Sequence, residues 1–224
     1  MLGEENLVEP FVVRDCALVA MATGRRAQTL KELRDQLREV EEVSIYHHFW
    51  GRLLQPQFDE PEYNNDFAAW AFYNLHHQEL AERLSVVNPS EFQSMEHLRD
   101  ELIEIVETVL DESEATAYTR ADRPFHFVKS QIVVFETGLS LKRPEELAQV
   151  VPQMSSGNIF YHFIDARRRT PVSRDDFSAW LEGYGERYRQ LVNALSAIDP
   201  YFSSLEEIRS ILTRTLEEHL GGKG

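Results

Sequence analysis

Two histidine–aspartate pairs are the residues of this chain whose types best suit chemistry. His48 precedes Asp66 in the first half of the sequence, and His162 precedes Asp176 in the second half. An imidazole held by a carboxylate can act as an acid, a base or a ligand, because the carboxylate fixes which ring nitrogen carries the proton. A structural role is the alternative: His48 would be a buried histidine, and Asp66 would complement the positive end of a helix. The sequence leaves both roles open.

The residues around these pairs form a candidate ligand-binding set, and the first half is the better candidate. Tyr161 in the second half stands where the first half has His47. Ala166 stands where the first half has Arg52. Aromatic rings beside Asn, Asp and Arg can bind sugars, although core packing is their ordinary role. The candidate set comprises His47, His48, Arg52, Asn65, Asp66, Trp70, His162 and Asp176.

The sequence contains no recognisable metal-binding or nucleotide-binding motif. His47 and His48 are adjacent, and neighbouring side chains on a helix point about 100° apart, so joint chelation is not expected. There is no HExxH, cysteine pair, P-loop or GxGxxG pattern. We therefore predict no metal and no cofactor. No catalytic residue and no reaction can be named, and enzyme activity stays open.

These residues lie in two halves of the sequence that are similar to each other. An offset of 114, later 110, brings similar residues into register over most of the chain. Such self-similarity predicts a tandem duplication of a unit of about 110 residues. At the first offset Pro10, Phe11, Thr23, Gly24, Leu33, Ile45, His48 and Phe49 fall on Pro124, Phe125, Thr137, Gly138, Leu147, Ile159, His162 and Phe163.

Each repeat is predicted to contain about five helices. The first helix would cover 15–23 and end at Gly24, with a twin at 128–137 ending at Gly138. The twin contains an apolar run, 132–135, that alone is typical of a buried strand. The alanine-rich and methionine-rich partner segment in the first repeat favours helix for both.

Capping residues predict where the other helices begin. Thr29 with Glu32 would open the second helix as a capping box, and Asn65 would open a long fourth helix over 66–84. A fifth helix is expected over 95–110. In the third helix the predicted caps are Ser44 and, in the second repeat, Asn158; for the last helix they are Ser203 with Glu206.

The predicted architecture is therefore all-α, with two tandem pseudo-symmetric helical repeats packed as one body. The first repeat would span 1–112 and the second 125–220. A polar linker is expected over 113–124 and a frayed tail over 221–224.

The composition limits the classes of partner and the cellular compartment that the sequence predicts. The 224 residues carry a formal net charge of -15, so we predict no nucleic-acid binding. The basic cluster 167–169 is better read as a solvated loop. The single cysteine, Cys16, lies in an apolar run and is expected to be buried, which suits a reducing cytoplasm. An acidic N-terminus and the lack of a long apolar segment predict no signal peptide and no membrane span.

Four runs resemble an uncharacterised bacterial family associated with gene neighbourhoods that contain glycosyltransferases. This resemblance implies a carbohydrate-related role and carries no known activity, fold or site residue. The runs are residues 14–18 (RDCAL), 22–27 (ATGRRA), 44–52 (SIYHHFWGR) and 62–70 (EYNNDFAAW).

Two functional hypotheses follow. The first is a non-enzymatic cytoplasmic module that binds a protein partner, such as an enzyme of carbohydrate metabolism. The alternative is a small-molecule site, for a sugar or sugar phosphate, built around His48 and Asp66 for binding or catalysis. The chain is also compatible with a homo-oligomer.

Overall fold

A computed structural model of the chain describes residues 8–55, 62–112, 116–170 and 173–221. Its contacts divide the chain into two compact units, with unit 1 formed by residues 1–17 and 133–224, and unit 2 by residues 18–132. Each unit therefore contains the helices of one predicted repeat and a segment from the start of the other. This division does not follow the chain-order limits predicted at 112 and 125, and part of the predicted linker, 113–115, lies outside the described residues.

Two long strands show that the predicted all-α fold is wrong. β1 spans Phe11–Thr29 and β2 spans Arg120–Leu141, and together they form a two-stranded antiparallel sheet. The protein is therefore an α/β fold. The strands occupy the segments predicted as the first helix of each repeat.

The burial of side chains explains why these segments are strands. Phe125 and Phe127 are buried whereas the intervening His126 is exposed, and Phe11 and Val13 are buried in the same alternating way. This period of two is that of a strand with one face on a core. The apolar alternation thus outweighs the helix propensity of the alanine-rich and methionine-rich stretch.

The two glycines predicted to end helices lie inside the strands instead. Gly24 has φ +78° and Gly138 has φ +74°. A glycine with positive φ inside a strand is the conformation of a G1 β-bulge. Thr23 accepts a hydrogen bond from the Arg25 N–H at 3.1 Å and donates one to the Phe127 carbonyl at 2.7 Å. The equivalent threonine of β2 makes the matching pair of bonds.

Unit 2 contains five helices among its described residues. Thr29 caps the first of them as predicted, although Glu32 reaches back to the Gln28 N–H. Asn65 is confirmed as a cap, but the predicted long fourth helix is broken at His76, which has φ +55°. The helices are α1 (Leu30–Leu37), α2 (Glu42–Trp50), α3 (Asp66–Tyr73), α4 (Gln78–Ser85) and α5 (Met95–Glu112).

Unit 1 contains several short helical segments and one long helix, Leu205–Leu220. Residues Phe160–Asp165 form a π-helical segment. Ser155, not Asn158, caps the helix that begins at Ser156, and the last capping box is Ser204 with Glu207, one residue beyond the prediction. The helices are α6 (Leu147–Val150), α7 (Ser156–Ile159), α8 (Ala166–Arg169), α9 (Asp176–Glu182), α10 (Arg189–Ser196) and α11 (Leu205–Leu220).

Each unit packs a strand phenylalanine against a helix phenylalanine. In unit 2 the rings of Phe125 and Phe67 stack with centroids 5.0 Å apart, and in unit 1 those of Phe11 and Phe177 stack at 5.4 Å. These contacts join a strand segment of one predicted repeat to the helices of the other. Within the part of the chain that the structure describes, no helix combines the length and apolarity needed to cross a bilayer.

Candidate functional site

His48 lies on α2 and connects this helix to Asp66 of α3 and to Val128 of β2, all within unit 2. Its Nδ1 lies 2.9 Å from Asp66 Oδ2, and its Nε2 accepts a hydrogen bond of 3.1 Å from the Val128 N–H. On the same helix the Ser44 hydroxyl donates to the Val128 carbonyl at 2.8 Å. Ser44 is therefore not the predicted helix cap. Instead, it and His48 satisfy both backbone groups of one strand residue, which would otherwise stand unpaired at a sheet edge.

His162 makes the equivalent connection in unit 1. Its Nδ1 lies 2.8 Å from Asp176 Oδ2, and its Nε2 accepts a 2.8 Å bond from the Arg14 N–H. The Asn158 amide donates to the Arg14 carbonyl at 2.8 Å, as Ser44 does to its own strand partner. The duplication stays an inference from the sequence, and the positions that it aligns make equivalent contacts in the two units.

Both ring nitrogens of these two histidines are used. A nitrogen that accepts from a backbone N–H carries no proton. Nδ1 therefore carries the ring proton and donates a hydrogen bond to the aspartate. The side chains of His48 and His162 are each 3% exposed. Aromatic neighbours surround them; the centroid of Phe125 lies 4.6 Å from His48, and that of Phe11 lies 4.8 Å from His162. This geometry supports the structural role for both pairs.

His47 differs from its neighbour because one of its nitrogens is available. Its Nδ1 is hydrogen bonded to the Ser130 hydroxyl. Within the described residues Nε2 has no hydrogen-bond partner, and the side chain is 7% exposed. Burial, followed by the proximity of His48, lowers the pKa of His47, although Asp66 acts in the opposite direction. The imidazole is therefore neutral at pH 7 and can offer a lone pair.

A pocket in unit 2 brings several of the candidate residues together. Its volume is about 300 Å³, near the lower end of the range for small-molecule sites. Asp66, 29% exposed at its side chain, is the acidic group of this pocket. The pocket is lined by His47, His48, Asp66, Ala69, Trp70, Tyr73, Asn74, Pro124, Phe125, His126 and Val128.

The structure places the remaining candidates around this pocket. Arg52 lies with a guanidinium nitrogen 3.7 Å from Asp66 Oδ1. Asn65 is fully buried; it caps α3 and donates to the Leu84 carbonyl at 3.0 Å, so it holds the helix and does not line the pocket. Trp70 lines the pocket with its ring while its indole N–H donates to the Arg123 carbonyl at 2.8 Å.

In unit 1 an arginine is hydrogen bonded to Asp176, the residue equivalent to Asp66. Arg169 donates to Asp176 at 2.9 Å and to the Tyr161 carbonyl at 2.9 Å. Its guanidinium also lies over the Tyr161 ring, 4.1 Å from the centroid. The Asp176 carboxylate is thus paired with a cation of its own unit. His162 and Asp176 therefore do not share a site with the other candidates.

Two further sequence features have structural explanations. Within the cluster 167–169, Arg168 and Arg169 both pair with the buried Asp165. Cys16 is buried and its Sγ lies 3.4 Å from the Gly157 carbonyl. Burial raises the pKa of this thiol to about 12, so Cys16 is protonated and inert at neutral pH.

The candidate set predicted from the sequence omits the residues that the strand and the helix end contribute to the pocket. His126 and Phe125 come from β2, and Tyr73 and Asn74 from the end of α3. His126 lies between two buried phenylalanines, and this alternation was the signal that could have placed it on a strand beside the site.

Comparison with known proteins identifies the family. A search of curated proteins found no match. The solved structure of OrfY from Thermoproteus tenax is similar, with a TM-score of 0.82 and 29% sequence identity over 96% of this chain and 97% of that one. The model of a family of unknown function, DUF5752, matches residues 8–217. The chain therefore belongs to the DUF5752 family.

Proposed function

We propose that unit 2 binds a small polyhydroxylated molecule, such as a neutral sugar, in the pocket beside Asp66. The observation that supports this proposal most is the composition of the pocket. It joins a part-exposed carboxylate and the Asn74 amide to aromatic side chains, including Trp70 and the half-exposed Tyr73. Carboxylates and amides hydrogen bond to hydroxyl groups, and aromatic rings contact the apolar face of a sugar.

Charge favours a neutral sugar over a sugar phosphate. Asp66 lines the pocket, and the Tyr73 hydroxyl donates at 2.6 Å to Glu62. Both carboxylates repel a phosphate group, whereas hydroxyl groups can donate to them. Binding is also favoured over catalysis at His48, because its two nitrogens are engaged and it has none left for proton transfer to a ligand.

A thermal-shift screen with EDTA present tests this proposal. A sugar at about 100 times its dissociation constant adds about 2.7 kcal/mol to stability, which raises the melting temperature measurably. We expect a hit among neutral sugars that is weakened at least about tenfold by Tyr73→Ala, which removes part of the pocket wall. The matched control is Tyr118→Ala in the same unit, because Tyr118 is 79% exposed and outside the pocket. Silence across the panel, or equal weakening in both variants, would contradict sugar binding.

A second candidate function is binding of a protein partner, and the exposed apolar side chains of β2 favour it. Val133, Val134, Phe135 and Leu139 are between 37% and 50% exposed. Exposed apolar side chains along one strand segment can mark an interaction surface. Sedimentation velocity tests association with a second copy: a dimer that Phe135→Ser converts to a monomer supports this function, and a monomeric parent chain excludes self-association.

The buried, unpaired Cys16 is compatible with a cytoplasmic location for either function.

A further inference from the structure

We propose that unit 2 binds a divalent transition-metal ion of the zinc type through His47 Nε2 and the Asp66 carboxylate. This inference goes beyond sugar binding and does not depend on it. It differs from the sequence-based prediction of no metal, which rested on the divergence of two adjacent histidines on a helix and on the absence of known metal-binding motifs. The fold adds a carboxylate from another helix, α3, to the same place.

A ring nitrogen of His47 and a carboxylate oxygen of Asp66 already lie close to each other. One ligand atom from each of His47, His48 and Asp66 lies within 4.8 Å of the other two. A zinc ion about 2.0–2.2 Å from a nitrogen and an oxygen brings those two atoms to about 4 Å or less of each other. Asp66 is part-exposed at the start of α3, so a rotation of its side chain can supply this small closure.

Both proposed ligands have the supporting hydrogen bonds that metal ligands require. His47 is bonded through Nδ1 to Ser130, which orients the ring and leaves Nε2 for the ion. Asp66 is bonded through Oδ2 to His48 Nδ1, which orients the carboxylate, and its Oδ1, 3.7 Å from an Arg52 guanidinium nitrogen, is the oxygen that we assign to the ion. Such outer contacts fix ligand orientation in known metal sites. His48 keeps its structural bond to β2 throughout and acts here as a positioning residue.

In unit 1 a side-chain cation, the guanidinium of Arg169, binds the carboxylate equivalent to that of Asp66. There Arg169 donates to Asp176 at 2.9 Å and covers Tyr161, the residue aligned with His47. In unit 2 Arg52 forms an ion pair with Asp66, but at 3.7 Å it is longer than the 2.9 Å contact of Arg169 in unit 1. Unit 2 thus has the lone-pair donor His47 where unit 1 has a tyrosine, and this difference favours a metal cation.

The donor set points to the chemical class of the ion. One imidazole nitrogen and one carboxylate oxygen suit Zn²⁺, Co²⁺ and Ni²⁺, and are less suited to Ca²⁺, which prefers oxygen alone. His47 and Asp66 both line the pocket, so water can supply the remaining ligands.

Isothermal titration of the EDTA-stripped full chain with Zn²⁺ tests this inference. We expect one site whose affinity falls at least about tenfold in His47→Tyr, which introduces the residue that unit 1 has there. The matched control is His76→Gln. His76 also belongs to a His-His dipeptide and lies 2.8 Å from a carboxylate, that of Asp122, but both side chains are more than 60% exposed. No binding, or equal losses in both variants, would overturn the proposal.

A second measurement needs no substitution and covers the outcome that His47→Tyr does not fold. Long-range ¹H–¹⁵N spectra resolve the ring nitrogens of the eight histidines in the unmodified chain. Zn²⁺ should shift Nε2 of His47 most, and a dominant shift at any other histidine would overturn the assignment. Because no sugar is present, a failure here leaves the sugar proposal intact, and a failed sugar screen in EDTA leaves the metal proposal intact.

Discussion

Replacing His48 by asparagine should destabilise the protein more than replacing it by glutamine. The two amides retain different halves of the connection between Asp66 and Val128. An asparagine side chain places its NH₂ near the position of Nδ1 and can still donate to Asp66, but it leaves the Val128 N–H without an acceptor. A glutamine side chain reaches the position of Nε2 and can still accept from Val128, but it leaves Asp66 without its donor.

The magnitudes follow from the surroundings of each group. The Val128 N–H lies in a part-buried bond against the buried His48 ring. A buried N–H left without an acceptor costs about 1–3 kcal/mol, whereas the net loss of an ordinary hydrogen bond costs about 0.5–1.5 kcal/mol. Asp66 is 29% exposed, so water can replace the lost donor in His48→Gln. Both variants lose the contacts of the ring with Phe67 and Phe125, so this cost largely cancels in the comparison. We expect His48→Asn to be less stable by about 1 kcal/mol.

Urea denaturation of the full chain measures which of the two variants is less stable. Amide hydrogen exchange at Val128 measures how far each variant loosens the hydrogen bond between the strand and residue 48. The Val128 amide should exchange faster in His48→Asn than in His48→Gln. His162→Asn and His162→Gln, read at the Arg14 amide, are the matched pair in unit 1 and should show the same order. If the glutamine variants are equally or less stable, the histidines do not hold the strands through Nε2.

Three further predictions concern other parts of the chain. Gly24→Ala and Gly138→Ala should each cost about 1–2 kcal/mol in urea denaturation because of their positive φ, although no atom lies within 4 Å of an added Cβ; no change would refute the bulge conformation. Because burial lowers the pKa of His47, the unfolded chain binds a proton below about pH 6.5 that the native state resists. Stability should therefore fall as the pH drops below that value, and His47→Tyr should reduce the fall; an unchanged pH profile would contradict the burial of a neutral imidazole. Cys16 should resist a thiol reagent in the native chain and react after unfolding, because it is buried and its pKa is raised to about 12; rapid native reaction would contradict this.

Local sequence signals predicted the parts of the fold that depend on neighbouring residues. The caps Thr29 and Asn65 satisfy backbone groups a few residues away, so their types alone located the helix starts. Gly24 was predicted as a helix end, where glycine often has positive φ, but that conformation serves both a helix end and a β-bulge. The choice between them depends on a partner strand about 100 residues away in the sequence, which a local pattern does not contain.

The candidate site shows the same limit. The proximity of His48 to Asp66 could be inferred within one repeat, and the structure shows that hydrogen bond. The second bond of His48, to Val128, comes from a strand whose sequence belongs to the other repeat. That long-range contact decides that His48 has no free nitrogen. The neighbouring His47, bonded through Nδ1 to Ser130, keeps Nε2 without a hydrogen-bond partner among the described residues.

The protonation of the histidine rings is the measurement that tests this account most directly. Long-range ¹H–¹⁵N spectra of the native chain at neutral pH distinguish the two neutral tautomers of each ring. We predict that His48 and His162 are both protonated at Nδ1, with Nε2 unprotonated and accepting from the strand amide. A proton on Nε2 of either ring would contradict the account, because that nitrogen could then not accept from Val128 or Arg14, and the histidine would not serve as the connection between helix and strand.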